Sequence, residues 1–362
     1  MLYYLLYPLS KYFGGFNVFK YITFRAAYAS VTAMLISFIF GSLFIQYLRK
    51  KQIKENIRVE GPKTHMAKEG TPTMGGLLIL LAIIVPTLLW ADPRNTYIHL
   101  VLLVTLWMGA LGFFDDYLKA IKGQKKGVVA RKKLVGQIAI GLILGMILYM
   151  YPPDPFFTTA TEVPFFKNLR IDFGILYIPF VVIVITFASN AVNLTDGLDG
   201  LAIGLVGICG LSLAILAYIT GRSDFSRYLN IEYFRDAGEL TIFCGALVGA
   251  CLGFLWFNAN PAQVFMGDTG ALALGGALGA IALLIKKEIL LVIMGGVFVM
   301  VALSVIIQVV YFKLTGGKRV FKMAPLHHHF ELCGWAEQKV TVRFWILGII
   351  FALISMSTLK IR

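Results

Sequence analysis

Charge is scarce in this chain of 362 residues: Asp, Glu, Lys and Arg together make up 14% of it, and only 19 residues are acidic. A soluble domain carries closer to a quarter charged residues, so a chain wrapped throughout in water is excluded. Cysteine is equally thin. Cys209, Cys244, Cys251 and Cys333 form no CxxC pair, which removes a thiolate zinc site, a dithiol redox motif and a disulfide framework. Three of the four fall inside apolar runs and read as small packing residues. No internal repeat, low-complexity tract or soluble appendage interrupts the sequence, so residues 1–362 read as one domain.

What fills the chain is apolar: 58% of residues are hydrophobic and the mean hydropathy is +0.79. The sequence therefore predicts an all-α polytopic membrane protein in a lipid bilayer. Runs long enough to cross a hydrocarbon layer of about 30 Å fall near 21–45, 75–91, 97–116, 134–152, 173–192, 199–219, 239–257, 269–285, 289–312 and 340–359, ten in all. The first run lacks a small-residue cleavage site and is expected to remain as a span. Ten spans alternate sides, and the stretches Arg49–Lys68, Lys119–Lys133 and Lys313–Lys339 put most of the basic residues on one face. By the positive-inside rule that face is cytoplasmic and both termini are periplasmic. The net charge of +14 then orients the protein and attracts anionic lipid or substrate, and does not mark a nucleic-acid binder.

The unusual polar motifs all fall at span ends on that same face, which predicts an active-site cleft facing the cytoplasm. ASNAVNLTDGLDGL (188–201) places Asn190, Asn193, Asp196 and Asp199 at every third residue, with Gly197 and Gly200 each following an aspartate and freeing the backbone there. A helix cap needs one such residue and not four; carboxylates at the mouth of a membrane span are costly unless water, a metal or a polar ligand meets them. Asp115 and Asp116 close the third span, and Asp268 opens another in FMGDTG. An exposed helix end paired to Lys119 is one reading of the adjacent pair. Adjacent acids in a low-dielectric site also suggest a divalent metal, or one acid and one base, and oxygen donors with few cysteines favour Mg²⁺ over zinc. Mg²⁺ commonly reaches a protein through carboxylates plus substrate phosphates. Gly267 and Gly270, and likewise TPTMGG (71–76), precede helices whose first amides can hold an anion; with Lys68, Lys119 and Lys133 they form a candidate pyrophosphate cradle. Phe265 is placed to stack on a base or simply to pack. His327, His328 and His329 point in different directions on any helix, so one general acid/base with structural neighbours, or a cluster around phosphate, is easier to build than a zinc site.

GTPTMGG, FFDDY, NAVNLTDGLDGLA, WFNANPAQVFMGD and APLHHHFE occur in that order at family-like spacings. In these motifs the chain resembles, nearly end to end, the bacterial phospho-N-acetylmuramoyl-pentapeptide transferases of the polyprenyl-phosphate N-acetylhexosamine-1-phosphate transferase superfamily. The resemblance implies transfer of phospho-MurNAc-pentapeptide from UDP-MurNAc-pentapeptide to undecaprenyl phosphate, giving lipid I and UMP. It also implies a Mg²⁺ requirement, a role in peptidoglycan synthesis, cell shape and cell division, and a place in the bacterial inner membrane. Carried over by motif, Asp115, Asp116, Asp268, His327, His328 and His329 are the expected catalytic residues, with Asp268, Asp115 and Asn193 as metal ligands. Lys68, Thr73, Lys119, Lys133, Asn193, Asp196, Gly197, Leu198, Asp199, Asn258, Phe265 and Gln308 are the expected substrate lining. Two positions depart from the family pattern: Ala271, commonly Ser, and Val301, commonly acidic. The apolar first span and the aromatic N-terminus are candidates for a homodimer contact. The rival reading, a transporter or flippase of an anionic lipid-linked sugar, calls for polar groups at mid-span on broken helices.

Overall fold

The computed structural model describes residues 1–53, 68, 70–124, 127–154, 157–166 and 169–360. Several of the expected basic loop residues, Lys54, Arg58, Lys63, Lys125 and Lys126, lie outside those residues. The elements in chain order are α1 (Leu2–Leu6), α2 (Ile22–Lys50), α3 (Gly76–Trp90), α4 (Thr96–Ala120), α5 (Ala130–Met150), a hairpin of β1 (Ala160–Glu162) and β2 (Arg170–Asp172), and α6 (Tyr177–Thr195). They continue with α7 (Leu201–Thr220), α8 (Ser223–Leu229), α9 (Leu240–Asn258), α10 (Gly267–Leu284), α11 (Glu288–Met294), α12 (Gly296–Leu314), α13 (Leu326–Leu332) and α14 (Glu337–Ser357).

Among the described residues nine helices are long and apolar enough to cross a membrane. Each of the ten expected runs has its helix, with two differences. The run at 75–91 gives a helix of 15 residues, about 23 Å at 1.5 Å per residue, because the chain before it is non-helical and pairs with another segment. Such non-helical backbone survives at membrane depth only where protein buries it. The run at 289–312 is not one helix: it breaks at Gly295 into α11 and α12. A Cβ on the next residue, Gly296, would sit 2.8 Å from the ring of Phe351 on α14, so the break lets the chain pass close to that ring.

α10 occupies the centre. Every residue from Thr269 to Leu284 is buried, as expected of a helix apolar on all sides, and its Gly and Ala residues let neighbours approach closely. A Cβ on Gly275 would lie 2.6 Å from Ser189 Cα on α6, and one on Gly276 would lie 2.9 Å from Met108 Cγ on α4. The departures Ala271 and Val301 are both fully buried. On α9 the glycines at 245, 249 and 253 repeat every fourth residue and admit α2, a Cβ on Gly249 falling 2.2 Å from the Ser30 carbonyl oxygen.

Helix alternation gathers the described residues 51–53, 68, 70–75, 121–124, 127–129, 196–200, 259–266 and 315–336 at one end of the bundle. The other end is scaffold. There Asn95 accepts from the Ile98 amide at 3.1 Å, capping α4, and donates to the Asp236 carbonyl. Arg25 holds Glu239 through two hydrogen bonds of 2.9 and 2.6 Å. The hairpin, in register Ala160↔Asp172, is clasped to the start of α11 by the Glu162–Lys287 ion pair. Met1 and Lys360 lie here: the Met1 amine donates to the Ala91 carbonyl at 2.9 Å, and the Lys360 ammonium sits over the Tyr228 ring of α8.

Candidate active site

The last turns of α4 begin the site. Successive residues on a helix point about 100° apart, so Asp115 and Asp116 turn to different neighbours. Asp115 Oδ1 accepts from the Val128 amide at 2.6 Å, and its Oδ2 takes the Lys119 ammonium one turn on at 2.5 Å. Asp116 turns to α10. Its Oδ1 accepts from the Asp268 amide at 3.0 Å, and its Oδ2 accepts from the Thr269 amide at 2.9 Å and the Thr269 hydroxyl at 2.5 Å. A carboxylate from another helix thus caps α10, meeting its free amides and the positive end of its dipole. Asp268 then faces outward, and its Oδ2 receives Lys119 at 2.8 Å and Lys133 of α5 at 2.9 Å.

Ligand oxygens of Asp115, Asp116 and Asp268 lie within 4.8 Å of one another. Glycine makes that approach possible. A Cβ on Gly112 would sit 2.2 Å from the Asp268 carbonyl oxygen, and Gly267, at φ +74°, lies where a Cβ would be 2.7 Å from Asp116 Oδ2. Three carboxylates against two ammonium groups leave one negative charge over. With donors that are all oxygen, the cluster could hold a hard divalent cation, and its composition fits Mg²⁺ better than a thiophilic metal.

A second junction fixes the floor. The Phe265 amide donates to the Pro72 carbonyl at 2.8 Å, and the Gly75 and Gly76 amides donate to the Phe265 and Met266 carbonyls at 2.9 and 2.8 Å. TPTMGG and VFMGD therefore run paired into the starts of α3 and α10. A Cβ on Gly76 would meet the Gly270 amide nitrogen at 2.1 Å. Thr73 is buried and Phe265 half-buried in this junction.

The loop between α6 and α7 forms the third part. The helical spacing of the Asn/Asp series holds only through Thr195, where α6 ends. Asn190 donates to Gln137 of α5 at 2.9 Å, Asn193 is half-buried on the last turn, and Asp196, Gly197, Leu198 and Asp199 belong to the loop. Asn258 ties this loop to α9: its Oδ1 accepts from the Gly200 amide at 3.1 Å, and its Nδ2 donates to the Val264 carbonyl at 2.9 Å. Lys68 reaches Asp199 Oδ1 at 2.6 Å and Glu337 Oε1 of α14 at 2.5 Å.

The histidines divide as their angular spread requires. His327 is fully buried against the loop, its Nε2 only 2.4 Å from where a Cβ on Gly197 would be. His328 Nδ1 pairs with Glu331 at 2.7 Å, and His329 Nδ1 accepts from the Lys322 amide at 3.1 Å. Gln308 is engaged with backbone, accepting from the Val320 and Phe321 amides at 3.1 and 2.9 Å, and so shapes the approach to α13. Thr269, Gln137 and Glu337 were missed from sequence. Gln137 carries no motif signal, Thr269 lies within FMGDTG but beside the more conspicuous Asp268, and Glu337 stands alone at the head of an apolar run, where an acid ordinarily reads as a first-turn dipole partner.

Comparison with known proteins gives this arrangement its family. Residues 98–286 match the glycosyl transferase family 4 model, and residues 68–80 match signature 1 of the phospho-N-acetylmuramoyl-pentapeptide-transferases. Relatives of that name from Thermodesulfovibrio yellowstonii and Desulforapulum autotrophicum are 54% and 56% identical over all 362 residues, covering 100% of both chains. The chain belongs to the phospho-N-acetylmuramoyl-pentapeptide-transferase family. A relative of the same name from Citrifermentans bemidjiense, 55% identical over the same span, extends the set. The family-model match takes in all three aspartates, Lys119, Lys133 and the 196–200 loop. The histidine helix and Glu337 lie beyond it, within the full-length similarity to these transferases.

Proposed function

We propose that this chain transfers phospho-MurNAc-pentapeptide from UDP-MurNAc-pentapeptide to undecaprenyl phosphate, releasing UMP and forming lipid I at the cytoplasmic face of a bacterial inner membrane. The observation that carries the reading is the convergence of Asp115, Asp116 and Asp268 with Lys119 and Lys133 at the ends of three spans. Polar groups at span ends suit a surface reaction better than alternating access, which calls for them at mid-span.

The reaction exchanges one pyrophosphate for another: a lipid phosphate oxygen forms a bond to the sugar-bearing phosphorus as the bond to UMP breaks. Little covalent work is asked of the protein, so positioning and charge neutralisation carry the rate. Lys119 and Lys133 offset the charge of the diphosphate, and Asp115 orients the incoming phosphate. Asp268, Asp115 and Asn193 would hold Mg²⁺, which when bound supplies positive charge beside the diphosphate. Asp116 spends its carboxylate on three donors of α10, which favours direct displacement over attack by Asp116 on phosphorus. Asp196, Gly197, Leu198, Thr73, Asn258 and Phe265 line the nucleotide end, and His327 approaches from α13, with His328 and His329 behind it and Gln308 holding its lead-in. A homodimer through the apolar outward face of α2 belongs to the same proposal, and cross-linking in the membrane tests it.

The test is UMP release from UDP-MurNAc-pentapeptide by the purified protein. Release is expected to require undecaprenyl phosphate and Mg²⁺ and to vanish in Asp268→Asn; release without lipid, or unchanged in the variant, contradicts the proposal.

A further inference from the structure

Glu337 belongs to no motif, yet it joins three separate parts of the site. Its Oε1 accepts from the Lys68 ammonium at 2.5 Å and from the Asp199 amide at 2.9 Å. Lys68 is shared, its ammonium also lying 2.6 Å from Asp199 Oδ1. The other oxygen of Asp199 accepts from Asn260 Nδ2 at 3.1 Å and the Ala262 amide at 3.0 Å. From the same first turns of α14, Gln338 Nε2 donates to Asn260 Oδ1 at 2.9 Å, and the Thr341 hydroxyl donates to the Asp199 carbonyl at 3.4 Å. All three ionised groups are largely enclosed, with side-chain exposures of 17% for Lys68, 2% for Asp199 and 14% for Glu337. A charged hydrogen bond in such surroundings is stronger than one in water, and a planar carboxylate with two donors on one oxygen fixes both in direction. The long, flexible lysine would otherwise be free to turn about Asp199 alone.

We infer that Glu337 is a positioning residue for substrate binding: it sets the Lys68 ammonium and the 196–200 loop in the geometry that receives the nucleotide diphosphate. The inference rests on the transferase reading above. Removing Glu337 frees Lys68 to swing and loosens the Asp199 amide, so the cost falls on capture of the nucleotide substrate more than on turnover. Glu337→Gln keeps an acceptor oxygen for both donors and loses only charge.

A double-variant cycle in the full-length protein tests this, measuring KM and kcat for UDP-MurNAc-pentapeptide and, separately, UDP binding by calorimetry. Glu337→Ala is expected to raise KM about ten-fold or more, the worth of one charged hydrogen bond, with kcat changed less than about three-fold. Glu337→Gln should recover most of the loss. In a Lys68→Met background the effect of Glu337→Ala should largely vanish, because the group it positions is gone. Independent, multiplying effects of the two substitutions would overturn the inference, as would equal losses for Ala and Gln accompanied by a lowered melting temperature. Should Glu337→Ala fail to fold, Glu337→Asp, whose carboxylate is one methylene short of the Lys68 and Asp199 donors, carries the cycle with and without Lys68→Met. A native protein that releases no UMP sinks the transferase reading; the calorimetric cycle with UDP then still decides whether Glu337 acts through Lys68.

Discussion

Asp116→Asn separates a residue that builds the site from one that reacts in it. The native carboxylate accepts from the Asp268 amide and from the amide and hydroxyl of Thr269, and it is buried at 4% exposure. Asn keeps the shape but offers one acceptor oxygen, and its amide group then faces an amide donor across about 3 Å. One or two charge-assisted hydrogen bonds are lost, each worth about 1.5–3 kcal/mol, together with a favourable charge at a helix N-terminus of up to about 2 kcal/mol. Since the amide group can rotate and part of each term is regained, about 2–4 kcal/mol is the expected local loss. Asp268 sits on this disturbed turn, its own amide being one of the donors, so the placement of its carboxylate between Lys119 and Lys133 goes with it. The account expects faster hydrogen exchange at the 268–270 amides, a lower melting temperature in detergent, and UMP release reduced at least about 100-fold. Native exchange rates and native stability alongside a lost reaction would refute this reasoning, since Asp116 would then be acting on substrate. Exchange of labelled UMP into the nucleotide substrate without lipid would point to the same conclusion.

Three further substitutions probe separate joints. Lys133→Met removes one of two ammonium groups on Asp268 Oδ2, and steady-state kinetics should show about a ten-fold loss of kcat/KM, the scale of one charged contact, with thermal stability retained. Gly76→Ala sets a methyl 2.1 Å from the Gly270 backbone nitrogen, a clash no side-chain rotation relieves; about 1–3 kcal/mol of overpacking should appear in thermal unfolding together with lost activity. Gly197→Ala presses on the His327 ring at 2.4 Å, where a side chain can yield, so activity should fall while the melting temperature stays within a few degrees.

Much of the fold was legible because a bilayer imposes a simple rule. Helices that must satisfy their own backbone appear as apolar runs of about 20 residues, and the ten runs found their helices within a few residues. The break at Gly295 was not legible, because GG inside an apolar run also reads as a helix contact; only Phe351, far along the chain, distinguishes the two. The short length of α3 was likewise hidden, since the pairing of 72–76 with 265–266 is a long-range backbone event without a local signature. Within the site, Asp115, Asp116 and Asp268 stood out as acids where lipid forbids them, and they do cluster. Their division of labour did not, because which carboxylate caps α10 depends on the angle at which α4 crosses it at Gly112. The consecutive histidines were read as pointing apart, and they do. Gln308 and Asn258 also bind backbone through their amides, a bracing role that residue type alone does not signal.

The most direct measurement follows the phosphorus. UDP-MurNAc-pentapeptide carrying ³²P only at the sugar-linked phosphate is supplied with undecaprenyl phosphate to the purified protein in vesicles. The account requires label to pass into the lipid phase as a diphosphate-linked product, with unlabelled UMP left in the water and no transfer in Asp268→Asn. Label that stays in the aqueous phase, or appears there as free sugar phosphate whether or not the lipid is present, would contradict it.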